Sequence, residues 1–260
     1  MVNGIYAAEL ALYLVLFPPT VYNFWTHRWA GFLAWYGLAI FCGIRVAAGG
    51  IGISQGDSIA ASILIGVGTS PLILSVDGLV HEARTKRNPY QKSSKYLGWA
   101  VIYIITGLMA AAIGLTVTGA MDIYKGDPKP SSLSHWKAGS ALMFVAWVLE
   151  VIWAGFSLLP SQKNVDAPGY RMGTTLLHGS LVALIFVGIR VIYALVATAT
   201  QRRDLSPVYG TTAVRVVLMF LPEALAAIII LISGFVSTRR KPSPVKVEYP
   251  GADVGGPVGV

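Results

Sequence analysis

Apolar residues collect into seven long stretches of the chain, separated by short polar segments. The stretches are Ile5–Tyr22, Ala30–Ala48, Ile59–Val80, Leu97–Met121, Lys137–Leu159, Met172–Ala199 and Thr211–Val236. A helix that crosses a bilayer needs about 20 mostly apolar residues. These runs are too long and too continuous for the alternating strands of a membrane barrel, and in hydrocarbon a helix satisfies its own backbone groups. The pattern therefore predicts an all-α, polytopic membrane protein with seven transmembrane helices.

Composition supports this interpretation. The chain has 260 residues, of which 55% are hydrophobic and 12% are charged, and its mean hydropathy is +0.63. Soluble domains carry about 25% charged residues, so a typical soluble enzyme and a disordered chain are excluded. The single cysteine, Cys42, excludes an internal disulfide and a cysteine-based zinc site. We find no phosphate-binding loop, dinucleotide fingerprint or histidine-rich box, and therefore expect no cofactor and no metal.

The distribution of Lys and Arg predicts the orientation. Twelve lie on the side that holds the first, third and fifth loops and the C-terminal end, and five lie on the other side. Because cytosolic loops are enriched in basic residues, the N-terminus is expected outside or in the lumen and the C-terminus in the cytosol. The net charge of +8 then reflects cytosolic loops rather than a nucleic-acid partner. Residues 1–238 are expected to form the transmembrane domain, and residues 239–260 a disordered cytosolic tail.

Seven ionisable side chains interrupt the apolar stretches. They are Glu9, Arg45, Asp77, Glu150, Arg190, Arg215 and Glu223. Each costs a few kcal/mol or more at bilayer depth unless it is paired or faces water. The three arginines and Glu9 fall in the outer half, Glu223 and Glu150 near mid-depth, and Asp77 near the cytosolic edge, where water reaches it. Any one of these groups could simply form a structural ion pair, but the convergence of several in one half favours a functional site.

Aromatic residues lie one helical turn from three of these groups. They are Tyr6 and Tyr13 beside Glu9, Trp147 and Trp153 beside Glu150, and Tyr193 beside Arg190. A carboxyl between two indoles is poorly solvated, which favours its neutral, proton-donating form, and aromatic faces stabilise cations. Ordinary helix packing is the alternative. We expect a substrate pocket formed by the five aromatic residues and Arg215. The expected catalytic residues are Glu9, Glu223, Arg45, Arg190, Glu150 and Asp77.

Three local patterns refine this picture. Pro71 and Pro222 lie inside stretches, where each frees a backbone carbonyl and predicts a kink that lines a cavity. The sequence Gly-Ile-Arg-Val occurs at 43–46 and again at 188–191, which indicates either a parallel repeat of the transporter type or coincidence. Asp77 forms a small acid–histidine group with His81 and His178, but this set is incomplete for zinc, so capping or pairing is the expected role.

Short motifs in several stretches carry a resemblance to a known family. They are Tyr6-Ala-Ala-Glu9, Gly43-Ile44-Arg45, Ser70-Pro-Leu-Ile-Leu, Ile189-Arg190-Val-Ile-Tyr193, and Ser206-Pro207 through Leu221-Pro222-Glu223. Together they resemble a fungal family of seven-helix integral membrane proteins. It includes membrane-bound cyclases of the ascofuranone and ascochlorin type and the epoxide-opening hydrolases of aurovertin-like polyketide pathways. The resemblance covers nearly all seven helices, and it implies a terpene cyclase or epoxide hydrolase of secondary metabolism in the endoplasmic reticulum. Asp77 departs from the family, in which an apolar residue is expected, and this indicates a different substrate or a different acid.

Two classes of function follow. The first is an intramembrane enzyme that opens an epoxide of a lipophilic terpenoid or polyketide, giving a cyclised or hydrolysed product. Glu9 and Glu223 would serve as acid and base, while Arg45 or Arg190 positions the oxygen. The second is a transporter or carrier of a small lipophilic or anionic metabolite, which would use the same buried charges. A seven-helix receptor is disfavoured because the loops are short and the last helix has no lysine to bind retinal. The expected partners are a lipophilic small molecule and the bilayer.

Overall fold

The computed structural model describes residues 2–56, 58–90, 92–124, 129–205 and 210–240. Its helices are α1 (Val2–His27), α2 (Phe32–Gln55), α3 (Ile59–Val67), α4 (Thr69–Arg87), α5 (Lys92–Tyr124), α6 (Ser132–Phe156), α7 (Tyr170–Thr200), α8 (Thr212–Arg215) and α9 (Leu221–Arg239). Within the described ranges there is no β-strand, and the remaining residues form short turns and connections. The all-α prediction is confirmed.

Six helical stretches of the described chain are long and apolar enough to span a membrane. The first, Gly4–Gln55, is 52 residues long and contains both α1 and α2, joined by a 3-10 turn at Arg28–Gly31. The two helices are antiparallel: the His27 and Trp35 rings lie 4.7 Å apart at the turn, and Gly49 packs against the backbone of Leu10 towards the other end. The fold is therefore that of a polytopic helical membrane protein.

Several helices extend beyond the predicted boundaries. The helix α1 ends at His27 rather than near Tyr22, and α4 continues to Arg87, past the predicted end at Val80. Hydropathy identifies the part of a helix that lies in hydrocarbon, whereas the helix itself continues into polar residues at the membrane surface. At the C-terminal end Arg239 is the last residue of α9, so the predicted tail is helical at its first residue. Residues 241–260 of that tail lie outside the described part of the chain.

Two helices are interrupted near the middle of the bundle. The third stretch breaks at Gly68, between α3 and α4, with Pro71 in the first turn of α4. The last stretch contains a π-helical turn at Val216–Phe220, in which the N–H of Leu221 bonds the carbonyl of Val216. Pro222 follows at once and has no N–H to donate, a frequent cause of such distortions. The predicted irregularities near both prolines are confirmed.

The helix α4 lies at the centre, in contact with α2, α5, α6, α7 and α9. Arg45, Asp77 and Glu150 are fully buried, whereas large apolar side chains such as Val15 and Ile185 point outward. Polar groups inside and apolar groups outside are the arrangement that a lipid environment requires.

Candidate functional site

Five of the predicted ionisable residues come together between the helices. They are Glu9 on α1, Arg45 on α2, Arg190 on α7, Arg215 on α8 and Glu223 on α9, and we call them the charge cluster. None is more than 4% exposed. With all five ionised, three guanidinium groups face two carboxylates, which leaves one excess positive charge. The predicted convergence is confirmed, as expected when unpaired charges are costly in a dry interior.

Glu223 is the centre of the charge cluster. Its Oε1 accepts hydrogen bonds from Nε of Arg190 at 2.8 Å and from the hydroxyl of Thr69 at 3.1 Å. Its Oε2 pairs with Nη2 of Arg45. Hydrogen bonds from charged donors are about twice as strong as neutral ones, so these contacts hold the Glu223 side chain in place. Its geometry is that of an anchor for two arginines.

The two arginines share a second acceptor. Nη2 of Arg45 and Nη2 of Arg190 lie 3.3 and 3.4 Å from the carbonyl oxygen of Ile65. That carbonyl is in the last turn of α3, where helix carbonyls have no partner within the helix. A Cβ at Gly68 would lie 3.3 Å from Arg45 Nε, so the glycine at the break also leaves room for the guanidinium. The recurring Gly-Ile-Arg-Val sequence thus places both arginines on the same two acceptors.

Glu9 is the more loosely held carboxyl. Its Oε1 lies 3.7 Å from Nη1 of Arg45, and its Oε2 has no hydrogen-bond partner among the described residues. The hydroxyl of Tyr13 is buried and also lacks a partner in the described chain. The hydroxyl of Tyr6 accepts a hydrogen bond from Nη2 of Arg215 at 3.2 Å. Glu9 is therefore the carboxyl of the cluster best able to exchange a proton with a ligand.

A narrow cleft with a cavity volume of about 40 Å³ reaches the cluster between α3, α5, α6 and α7. Its described lining is Ser62, Ile63, Gly66, Val67, Thr116, Val117, Ala120, Trp136, Ser140, Met143, Arg190, Ala194 and Thr198. Arg190 is the cluster member in this lining. The predicted pocket residues lie elsewhere: Tyr6 contacts Arg215, and the Tyr193 hydroxyl donates to the carbonyl of Leu205 at 2.9 Å. None of the six predicted pocket residues is in the described lining of this cleft, and the predicted pocket therefore stays a prediction.

Asp77 and Glu150 form a second buried site, which we call the carboxyl pair. Both are 0% exposed, and their side chains lie next to each other between α4 and α6. Their four oxygens have no other hydrogen-bond partner in the described part of the chain. Two adjacent carboxylates without a cation are too costly to bury, so the pair must hold at least one proton.

The predicted location of Asp77 at a wet membrane edge is wrong. The helix α4 continues ten residues past it, to Arg87, which places Asp77 inside the bundle. The predicted acid–histidine group does not form either. His178 is exposed, and His81 packs on Trp99 with ring centroids 5.0 Å apart. In the described residues no group of three or more His, Cys, Asp or Glu side chains is placed to hold a metal ion.

The two indoles predicted to flank Glu150 have other partners. Nε1 of Trp147 donates to the carbonyl of Leu184 at 2.9 Å. The guanidinium of Arg84 lies 4.0 Å from the ring centre of Trp153. Both contacts join neighbouring helices, so the alternative of ordinary helix packing accounts for these residues.

A third polar group, at the opposite end of the bundle, was not predicted. Nδ1 of His27 lies 2.6 Å from Oε1 of Glu82, and Nζ of Lys86 lies 2.9 Å from the same oxygen. Glu82 is fully buried, and His27 is 5% exposed. We call these three residues the histidine–glutamate cluster. The predicted helix ends placed all three in loops, although polar residues at spacings of three and four along α1 were a usable signal.

Two arginines assigned to a loop are also buried. Nη1 of Arg87 donates to the carbonyl of Ser157 at 2.5 Å, and Nη1 of Arg84 donates to the Ser157 hydroxyl at 2.8 Å. Ser157 caps the C-terminal end of α6. Cations there satisfy free carbonyls and the negative end of the helix dipole, so this contact is structural.

A family model described as "Domain of unknown function (DUF7702)" matches residues 1–240. The chain belongs to the DUF7702 family. The matched range includes every described helix and all members of the charge cluster, the carboxyl pair and the histidine–glutamate cluster. No curated protein and no solved structure matches the chain. The DUF7702 match supplies no substrate, so function must be argued from the geometry.

Proposed function

We propose that this DUF7702 protein is an intramembrane enzyme of fungal secondary metabolism that opens an epoxide of a lipophilic terpenoid or polyketide. One observation carries the proposal: a largely apolar cleft within the helical bundle includes a guanidinium, Arg190, which a buried carboxylate holds in place. Such a cleft suits a lipid-soluble molecule that carries one reactive oxygen. Membrane-bound terpene cyclases and epoxide hydrolases, which the sequence motifs resemble, act on substrates of this kind.

The roles of the cluster residues follow from their contacts. Arg190 binds the epoxide oxygen and stabilises the negative charge that develops on it as the C–O bond breaks. Glu9 lies in the same cluster but outside the described lining of the cleft, and its Oε2 is unbonded among the described residues. Through a bridging water it supplies a proton to that oxygen and accepts one from the attacking water or hydroxyl group. Glu223 fixes the positions of Arg190 and Arg45. The product is a diol or a new ring, and the enzyme returns to its starting protonation state.

The direct test measures turnover of a panel of lipophilic epoxides by the purified, detergent-solubilised protein. Arg190→Lys keeps the charge but loses the planar set of donors, and loss of one donor to a developing oxyanion costs about 10²–10³ in rate. Arg171→Lys, at the exposed start of the same helix, is the matched control and should keep wild-type turnover. The proposal fails if the wild type converts no epoxide, or if Arg190→Lys retains full activity at a normal protein level.

The proposed enzyme crosses the membrane seven times. The stretch Gly4–Gln55 has 52 residues, which span about 78 Å as helix, more than twice the ~30 Å hydrocarbon core. Its two antiparallel helices therefore count as two crossings. The excess of basic residues predicts a cytosolic C-terminus, and the endoplasmic reticulum is the expected compartment. A C-terminal tag should be digested when protease is added outside sealed microsomes. Protection of the tag would reverse the orientation.

A carrier of a lipophilic or anionic metabolite is the second candidate. It is favoured by the two helix breaks, at Gly68 and at the π-helical turn Val216–Phe220, since transporters place interrupted helices at their substrate site. The two candidates differ in what they need: an enzyme converts its substrate in detergent, whereas a carrier requires a sealed vesicle and a gradient. Accumulation of unchanged substrate in proteoliposomes, without conversion in detergent, would favour the carrier.

A further inference from the structure

The buried face of α1 is polar along almost its whole length. Its members follow one another at spacings of three and four residues: Tyr6, Glu9, Tyr13, Leu16, Thr20, Asn23 and His27. Each is at most 9% exposed, and Leu16 is the one apolar member. The opposite face carries exposed apolar side chains such as Val15 and Phe17. Burying polar groups inside a membrane costs free energy, so a continuous buried row of them requires an explanation.

This row, which we call the α1 polar stripe, connects two charged sites. Glu9 belongs to the charge cluster, and His27 belongs to the histidine–glutamate cluster. From Glu9 to His27 the helix advances 18 positions, a rise of about 27 Å at 1.5 Å per residue, close to the ~30 Å thickness of a hydrocarbon core. At the far end Lys86 pairs with Glu82 and is 19% exposed, so the stripe ends at a partly solvent-accessible group.

Neighbouring groups continue the stripe where α1 itself has a leucine. The Cys42 thiol of α2 lies beside the hydroxyl of Thr20 and within electrostatic range of Tyr13. The hydroxyl of Tyr13 and Oδ1 of Asn23 have no hydrogen-bond partner among the described residues. Groups able to donate or accept hydrogen bonds therefore succeed one another at intervals of about one helical turn.

We propose that the α1 polar stripe is a proton path through the bundle, between Glu9 at one end and His27 with Glu82 at the other. In each step an oxygen or nitrogen accepts a proton and releases another to the next group, with water molecules bridging gaps of one turn. No bond other than those to hydrogen changes, and nothing is oxidised. The inference goes beyond epoxide opening, which returns its proton locally and needs no path across the membrane.

The charged groups that face each end are defined. Four charged side chains face Glu9: Arg45 on α2, Arg190 on α7, Arg215 on α8 and Glu223 on α9. His27 is faced by Glu82, which in turn bonds Lys86. The carboxyl pair lies between α4 and α6, outside the stripe. A proton that enters beside Lys86 would thus reach the charge cluster through α1 and its partners alone.

The test reconstitutes the full chain in liposomes that contain a pH-sensitive dye, and imposes a potassium diffusion potential with valinomycin. Wild-type protein should acidify or alkalinise the lumen faster than empty liposomes do. Tyr13→Phe should fall to the empty-liposome rate, because it removes the one hydroxyl on its turn of the stripe. Tyr22→Phe removes a hydroxyl from the exposed face of the same helix and should conduct as the wild type does.

Folding is controlled within the same experiment. The Tyr13 ring packs edge-on against Phe41 at 5.3 Å, a contact that phenylalanine preserves. A second test uses Thr20→Val, a nearly isosteric change that removes a hydroxyl from the stripe. Its control is Thr26→Val, on the exposed face of the same helix. The proposal is overturned if wild-type flux equals that of empty liposomes, or if both Tyr13→Phe and Thr20→Val conduct normally. Epoxide turnover in detergent is read separately, so a failed proton path and a failed enzyme proposal are distinguishable.

Discussion

Glu223 and Glu150 are both fully buried glutamates inside the same helical bundle, yet their surroundings are opposite. Glu223 accepts hydrogen bonds from Arg190 and Thr69 and pairs with Arg45. Glu150 lies beside the carboxyl of Asp77, and its oxygens have no hydrogen-bond partner among the described residues. Residue type and depth are therefore insufficient to assign a protonation state, which depends on the groups that surround the carboxyl.

This difference in surroundings also suits the two glutamates to different roles. A carboxylate with several charged donors is fixed in position and in charge, so it organises a site. A pair of carboxyls that must share protons is instead a group whose charge can change. The charge cluster is thus suited to holding an oxygen of a ligand, and the carboxyl pair to holding a proton. The predictions below test this contrast by comparing the stability of purified variants with that of the wild type.

The largest effect is expected at Glu223. Glu223→Gln leaves the buried guanidinium groups of Arg45 and Arg190 without their central counter-charge, and loss of one partner from a buried ion pair costs about 3–5 kcal/mol. Thermal unfolding of the detergent-solubilised protein should show a correspondingly large drop in stability. Glu150→Gln makes the same chemical change at the carboxyl pair and is the matched control. Equal stability of the two variants would contradict the proposed contrast.

A smaller loss is expected at Thr69. Thr69→Val removes the hydroxyl that donates to Glu223 Oε1 at 3.1 Å while both arginines keep their contacts. Hydrogen bonds to charged groups contribute about 1.5–3 kcal/mol, so the stability should fall by an amount in that range. Thr85 lies on the same helix, and its hydroxyl bonds the carbonyl of His81. Thr85→Val should cost less, and a larger loss there would argue against the special role of the contact with Glu223.

The sequence was sufficient for much of the fold and for part of the site. Long apolar runs leave a helical bundle as the main solution, and buried charges of opposite sign must meet, so the grouping of Glu9, Glu223 and the arginines followed from physical necessity. The pairing of Asp77 with Glu150 did not, because two like groups have no attraction that a sequence could reveal. His27 and Glu82 were missed for another reason: their helices continue beyond the apolar stretches by which they were recognised.

The smallest effect, and the one opposite in sign, is expected at the carboxyl pair. Asp77→Asn keeps the volume of the side chain and provides an N–H₂ donor for Glu150, whose oxygens otherwise have no donor among the described residues. The amide cannot ionise, so the variant no longer buries two groups whose charged forms would repel each other. We therefore expect the stability of Asp77→Asn to equal or slightly exceed that of the wild type, measured by the same thermal unfolding. Asp166→Asn, at an exposed position in the connection between α6 and α7, is the control for a change of net charge alone. A loss at Asp77 as large as that at Glu223 would mean that the carboxyl pair is held by interactions as strong as those of the charge cluster, and the distinction between a fixed charge and an exchangeable proton would fail.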